Sequence, residues 1–244
     1  MWKPQKPPFR AYKKNVFQKI MVTADFVYQI GESEDLRKSS KEVPLKEITT
    51  PDFQKKIAYL KSCMLEYRKL TGMGRGITAV QVGIPQRFSV IYMPLFSRHS
   101  GKQRFLQNPD SGSPKGTAHF VAEQARMTAF EDMVIIINPV ITRKSKDLLR
   151  YPEICMSANP IIAPVVRPSW IEFSYIDEQG KKQVWEIKDA SKEGKLYNRV
   201  FQHEIDHMDG IINIDKVQSE ELIFESDPTF YDTAKFEKIR NKLK

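Results

Sequence analysis

The stretch "QHEIDH" at 202–207 holds two of the four histidines in the chain, with a glutamate directly after the first. On a helix, residues four apart share a face, so His203 and His207 can offer two imidazoles to one metal ion. Glu204 then sits about 100° further round the helix. From there it cannot easily bind the same ion, but it can reach a water beside it. That is the logic of H-E-x-x-H: two ligands and a general base on one rigid element. A catalytic metal usually takes three protein ligands and keeps one position open, so a third donor is required. No histidine follows His207; Glu220 and Glu221 follow at a workable distance. Upstream, "YPEICMSANP" at 151–160 offers Cys155, whose thiolate is a strong soft ligand for Zn²⁺ or Fe²⁺. A further stretch, "GRGITAVQVGIP" from residue 74, carries Gly74, Gly76 and Ala79, then Gln81. Glycine lets backbone approach a ligand closely, and a glutamine amide beside a metal can donate to a developing oxyanion. His99 and His119 are isolated in a polar stretch and read as surface residues.

Regular elements must position these groups. "TTPDFQKKIAYLKSCMLEYRKLTG" from residue 49 predicts a helix, with Thr50 as N-cap, Pro51 in the first turn and Gly72 as the stop. Phe53, Ile57, Leu60 and Met64 form its buried stripe, with Cys63 beside it. "RFSVIYM" and "MVIIINPVI" read as buried strands. The region 95–131 between them is a polar insertion with a partly helical second half. Cys155 falls between a strand and a proline-rich loop. "SWIEFSYIDEQGKKQVWEI" alternates apolar and polar residues about Gly180 and predicts a β-hairpin. The histidine helix is expected over about 195–209, ending near Gly210, and a basic helix over 228–244.

The length of 244 residues fits one domain with extensions, and the 41% hydrophobic content supports a sizeable core. No apolar run is long enough to cross a bilayer. The net charge of +9 sits at the two ends: residues 1–24 hold six basic side chains and no acid, and residues 235–244 hold five against Glu237. The body is near neutral, which argues against a nucleic-acid-binding body. The start resembles an organelle transit peptide, although Pro4, Pro7, Pro8 and the lack of serine equally fit a basic tail. Two cysteines, Cys63 and Cys155, fit a reducing compartment better than a disulfide scaffold.

Taken in order, "GRGITAVQ" at 74–81, "EICMS" at 153–157 and "QHEIDH" at 202–207 resemble the peptide deformylases, which remove the N-formyl group from nascent chains that begin with formyl-methionine. The family pattern runs G-x-G-φ-A-A-x-Q, E-G-C-φ-S and Q-H-E-φ-D-H, φ being apolar. "LRKSSKEV" at 36–43, "RP" at 167–168 and "DEQG" at 177–180 agree with it, so the likeness covers roughly 30–217. The resemblance implies an α+β fold: antiparallel β-sheets around a central helix carrying HExxH, with an N-terminal and a C-terminal helix. It implies Cys155, His203 and His207 as ligands of one divalent ion, Fe²⁺ physiologically with Zn²⁺ as a substitute. Glu204 would move the proton, and Gln81 with the backbone N–H of Met156 would hold the formyl oxygen. Gly76 would offer backbone to the substrate, while Leu196 and Val200 would wall the methionine pocket. Glu153 and Asp206 are expected to orient the ligands.

Three positions depart from the pattern. Ile154 replaces a glycine beside the metal cysteine, Arg75 an apolar residue and Thr78 an alanine. A β-branched residue at positive φ would be strained, and Ile154 would also narrow the path of the substrate backbone. Arg75 adds charge at the pocket edge. The expected organisation is a basic extension over 1–24 and one catalytic domain over 25–244. The expected partners are formyl-methionyl nascent peptides and, through the basic C-terminal helix, the ribosome, without membrane insertion. The expected compartment is the mitochondrion, with a bacterial cytoplasm as the alternative. Two other classes stay open on these residues: an inactive deformylase-like module bound to ribosomal RNA through phosphate contacts, and a metallopeptidase. Retention of Glu204 argues against the first; Ile154 and Arg75 argue for it.

Overall fold

The structure is a computed structural model that describes residues 24–93, 132–188 and 191–224. The basic start, the insertion over 95–131 and the C-terminal helix over 228–244 lie outside the described residues. So do His99 and His119.

The α-helices among the described residues are α1 (Leu45–Ile48), α2 (Pro51–Thr71) and α3 (Lys192–Met208). For α2 the expected signals operate as read. The Thr50 hydroxyl accepts from the Phe53 N–H at 3.3 Å, and Gly72 closes the helix at φ 72°, a left-handed conformation that glycine adopts without a Cβ penalty. The helix α3 begins three residues before the expected start. Ser191 caps it, accepting from the Gly194 N–H at 3.0 Å, so a glycine in the first turn does not delay the helix.

Five strands form one antiparallel sheet in the order β1 (Gly76–Thr78), β2 (Phe88–Tyr92), β3 (Met133–Lys144), β6 (Ile171–Ile176) and β7 (Lys182–Ile187). The expected hairpin is β6–β7. A second sheet joins β4 (Leu148–Ile154), β5 (Ile161–Pro168) and β8 (Ile223–Phe224). Two readings need correction here. The loop expected after Cys155 spans only residues 156–160, and the proline-rich run that follows is strand β5; Pro164 stands opposite Pro152, so two residues without N–H donors share one register position. The strand read as ending near residue 141 continues to Lys144, because a register shift between Ile137 and Val140 absorbs Pro139.

Alternation along the strands divides the core. Ile77, Phe88, Val90, Met133, Ile135 and Ile137 point to α2, where they meet Phe53, Ile57, Leu60 and Met64. Phe53 and Phe88 pack edge-to-face with centroids 5.0 Å apart. Burying each such side chain stabilises the fold by about 1.5–3 kcal/mol. The alternate residues Ile91, Val134 and Ile136 point to the opposite face, where Tyr197, Phe201, Ile205 and Met208 of α3 pack on them. The two long helices therefore cover opposite faces of the five-stranded sheet. Polar contacts from α3 tie it to the second sheet: Arg199 donates to the carbonyls of Leu149, Tyr151 and Val165. This is the α+β arrangement expected, with the histidine helix between the sheets. Among the described residues, no helix is long and apolar enough to cross a membrane.

Candidate functional site

The helical spacing brings His203 and His207 onto one face of α3, and the end of β4 delivers Cys155 against them. Cys155 Sγ lies 3.1 Å from His207 Nε2, which lies 3.2 Å from His203 Nε2. All three donor atoms fall within 4.8 Å of one another. A four-coordinate ion with bonds of about 2.0–2.3 Å sets its ligand atoms about 3.3–3.6 Å apart, so these three donors fit one small divalent ion. Soft sulfur with imidazole is also the donor set that suits zinc or ferrous iron rather than calcium or magnesium. Glu220 and Glu221, the alternative third ligands, are not in this cluster. Glu221 instead pairs with Arg150.

The electrostatics agree with that fit. Burial disfavours charge on both imidazoles. At His207, burial, with His203 next, pulls the pKa well below its ordinary value, which leaves the neutral ring a ligand needs. At His203 burial is outweighed by the Cys155 thiol and the Glu153 carboxylate, which push it up to about 10. His203 Nδ1 is oriented by Glu153 Oε2 at 3.0 Å, whereas buried His207 Nδ1 has no hydrogen-bond partner among the described residues.

Glu153 sits at the centre of a buried polar network. Arg167 donates to both of its oxygens, at 2.6 and 2.9 Å, and Arg199 donates to Oε1 at 2.9 Å. Burial alone would raise its pKa, but Arg167 and His203 hold it well below the carboxylate range. It can therefore remain an anion inside the protein. Asp206 differs from the expectation: among the described residues its carboxylate hydrogen-bonds neither histidine ring. It accepts from Arg167 at 2.6 Å and pairs with Lys216 at 3.1 Å, bracing the guanidinium that holds Glu153.

Beside the cluster opens a cavity of about 200 Å³. Gly76, Arg75, Ile154, Leu196 and Val200, the expected substrate contacts, all line it, together with Gln81, Met156, His203 and Glu204. The Gln81 amide accepts from the Thr78 N–H at 2.8 Å and turns its nitrogen toward Ser157 Oγ at 3.0 Å and Cys155 Sγ at 4.0 Å. The carboxamide is thus held beside the donor cluster. The Met156 backbone N–H has no acceptor among the described residues, while its side chain packs into the α2 core. Ile154 ends β4 in strand backbone. Asn138 is the one non-glycine residue with positive φ among the described residues, so the strain expected at Ile154 is absent; what remains is its side chain on the cavity wall. Cys63 and Cys155 are both buried and unbridged.

The approach of backbone to Glu204 is closer than the sequence alone conveys. A Cβ on Gly76 would stand 2.4 Å from Glu204 Oε1, so the carboxylate rests directly on the glycine. Thr78 and Ser89, directly paired across β1 and β2, also face Glu204. Neither they nor Arg199, Tyr67, Met73 and Tyr151, which also line the cavity, were identified as site residues from the sequence. Arg199 lies four residues before His203 and so shares its helix face, a signal available in the sequence. The Thr78–Ser89 pairing depends on strand register and leaves no such signal.

An α+β domain whose central helix carries two imidazoles and a carboxylate, with a thiol from a second sheet as third donor, defines the class: a candidate metal hydrolase. Residues 26–222 match the family model described as polypeptide deformylase, and the chain belongs to that family. A peptide deformylase of Prochlorococcus marinus (strain NATL2A) is 31% identical over 195 residues, covering 80% of this chain and 74% of that protein. One from Picosynechococcus sp. is 40% identical over 87 residues, covering 36% of this chain and 43% of the relative; for one from Synechocystis sp. the latter share is 48%. The chain thus spans about half the length of these last two relatives. Among solved structures, a probable peptide deformylase from Synechococcus phage S-SSM7 superimposes with a TM-score of 0.51 at 26% identity, covering 78% of this chain and 98% of that one. A peptide deformylase from Synechococcus elongatus, crystallised with actinonin, gives 0.54 at 25% identity, with 79% and 80% covered.

Proposed function

We propose that the protein is a metal-dependent amide hydrolase that removes the N-formyl group from peptides beginning with formyl-methionine, releasing formate. The observation that carries this reading is the convergence of Cys155, His203 and His207 beside a cavity that also presents Glu204 and Gln81. Cys155, His203 and His207 would hold one divalent ion, Fe²⁺ by preference with Zn²⁺ as a substitute, which would supply Lewis acidity and lower the pKa of a water to about 7. Glu204 takes a proton from the attacking water and passes it to the leaving nitrogen as the C–N bond breaks. The Gln81 amide and the Met156 N–H receive the charge that develops on the formyl oxygen. Losing one such donor costs about 3 kcal/mol in the transition state. Leu196 and Val200 pack the methionine side chain, Gly76 presents backbone to the peptide, and Ile154 and Arg75 tune which peptides fit.

Formyl-methionine is used in bacteria and in organelles of bacterial descent. The acid-free basic start supports a mitochondrial address over a bacterial cytoplasm, and the basic segment 228–244 supports approach to ribosomal RNA. The test is to express the full chain, count bound metal and assay formate release from formyl-methionyl peptides. Stoichiometric metal with formate release is expected, both lost in Cys155→Ala. Absence of bound metal, or cleavage of internal peptide bonds instead, overturns the reading.

A further inference from the structure

Glu204 offers two chemically equivalent oxygens, yet the protein treats them differently. Oε2 accepts from the Thr78 hydroxyl at 2.7 Å and has Ser89 Oγ at 3.5 Å. Oε1 accepts no hydrogen bond among the described residues and lies against Gly76 at the cavity wall. Thr78, Ser89 and Glu204 are all buried. Each hydroxyl has one proton to give. The Thr78 hydroxyl has two acceptors in reach, Glu204 Oε2 at 2.7 Å and the Glu204 backbone carbonyl at 3.2 Å, and the carboxylate is the nearer; Ser89 Oγ hydrogen-bonds Thr78 Oγ1 and reaches the Ile77 carbonyl at 3.1 Å. One consistent assignment is a relay of donors: Ser89 to Thr78, and Thr78 to Oε2. Both residues sit on strands, directly opposite in the register of β1 and β2, so their positions are fixed by the sheet.

We propose that Thr78, supported by Ser89, is a positioning residue for hydrolysis: it holds Oε2 so that Oε1 alone faces the reacting atoms and carries the proton. This deepens the deformylase reading and rests on it. Thr78 acts on both sides of the site, since its backbone N–H fixes the Gln81 carboxamide at 2.8 Å while its hydroxyl fixes Glu204. A carboxylate with no such anchor would rotate about its last torsion, which is broad for Glu, and present either oxygen. Gly76 completes the device, because any side chain there would occupy the space of Oε1.

The test uses the metal-loaded full chain. Thr78→Val keeps the branched shape and removes the hydroxyl. It is expected to lower kcat about 10- to 100-fold, with KM for a formyl-methionyl peptide and bound metal unchanged. Thr78→Ser should recover most of that loss, and Ser89→Ala should fall between them. In a Glu204→Gln background, Thr78→Val should add little, because groups acting as a unit are not additive. A crystal structure of metal-loaded Thr78→Val should show the Glu204 carboxylate turned from its wild-type orientation. Unchanged kcat, or a carboxylate that stays in place, overturns the proposal. If Thr78→Val does not fold, Ser89→Ala carries the comparison: a lowered kcat with a turned Glu204 carboxylate supports the proposal, and wild-type kcat with the carboxylate in place overturns it. If the wild type releases no formate, the deformylase reading fails, and the carboxylate orientation in the variant structure still decides the positioning role.

Discussion

The two faces of the five-stranded sheet are made by the same strands and do opposite things. Toward α2, Ile77, Phe88 and Val90 enter an apolar core. Toward α3, one residue out of phase, stand Gly76, Thr78 and Ser89, all against the carboxylate of Glu204. Successive side chains on a strand point to opposite faces, so three residues of β1 serve a core and a site at once. The difference shows where stability and chemistry are separable. On the α2 face the strand residues Ile77, Phe88 and Val90 bury hydrocarbon alone. The α3 face buries an ionisable group, which is costly unless hydrogen-bonded, and Thr78 and Ser89 offset part of that cost. Burial pushes the Glu204 carboxyl up in pKa, against the lowering effect of His203 and of the two hydroxyls.

Mutations on the two faces should therefore fail in different ways. The largest effect is expected for Glu204→Gln, which should lower kcat by about 10²–10⁴. Thermal unfolding should show a Tm no lower than wild type, since a neutral amide avoids the burial of charge. A Tm loss matching that of a core truncation would erase the distinction. Phe88→Ala should do the reverse. Its side chain is fully buried against Phe53, so urea unfolding should report a loss of about 3–5 kcal/mol. The folded fraction should keep its kcat. Next comes Gly76→Ala. Gly76 has no positive φ, so the added methyl strains no backbone; it meets Glu204 Oε1 instead. Displacing that carboxylate by about 1 Å should cost on the order of 10² in kcat, measured by formate release, with the urea midpoint little changed.

This contrast also marks what the residues disclose before any coordinates. His203, Glu204 and His207 are legible because a helix converts a spacing of four into a shared face. Helix α2 is legible because its cap, first proline and stop lie at its own ends. Cys155 stood out only by the chemistry of its thiol until the motifs in chain order joined it to His203, 48 positions later, since no local rule links them. Thr78 read as a mere departure from the family pattern, because its meaning lies in which residue β2 places opposite it. Arg167 shows in sequence only as part of a family mark and Arg199 only as a neighbour of His203 on the helix face; their common partner, Glu153, emerges where two sheets and a helix meet. Prolines misled the reading of β5, because only the register, with Pro164 opposite Pro152, shows how the pairing accommodates them.

The smallest expected signal comes from the two thiols, one on each side of the contrast. Cys63 lies in the α2 core, where burial pushes its pKa up to about 12. The thiolate that alkylating reagents attack is therefore scarce there at pH 8. Iodoacetamide should leave the Cys63 peptide unmodified in native protein, with or without a chelator, and label it only as denaturant opens the core. Cys155 is equally buried, but its sulfur faces two imidazoles, so its protection should depend on the ion they share. Chelation should raise labelling of the Cys155 peptide, read by mass spectrometry, while Cys63 stays silent. If both thiols react together on chelation, the metal holds the whole fold, and the two faces of the sheet are one cooperative unit. If only Cys155 responds, the apolar face stands without the chemistry on the other side.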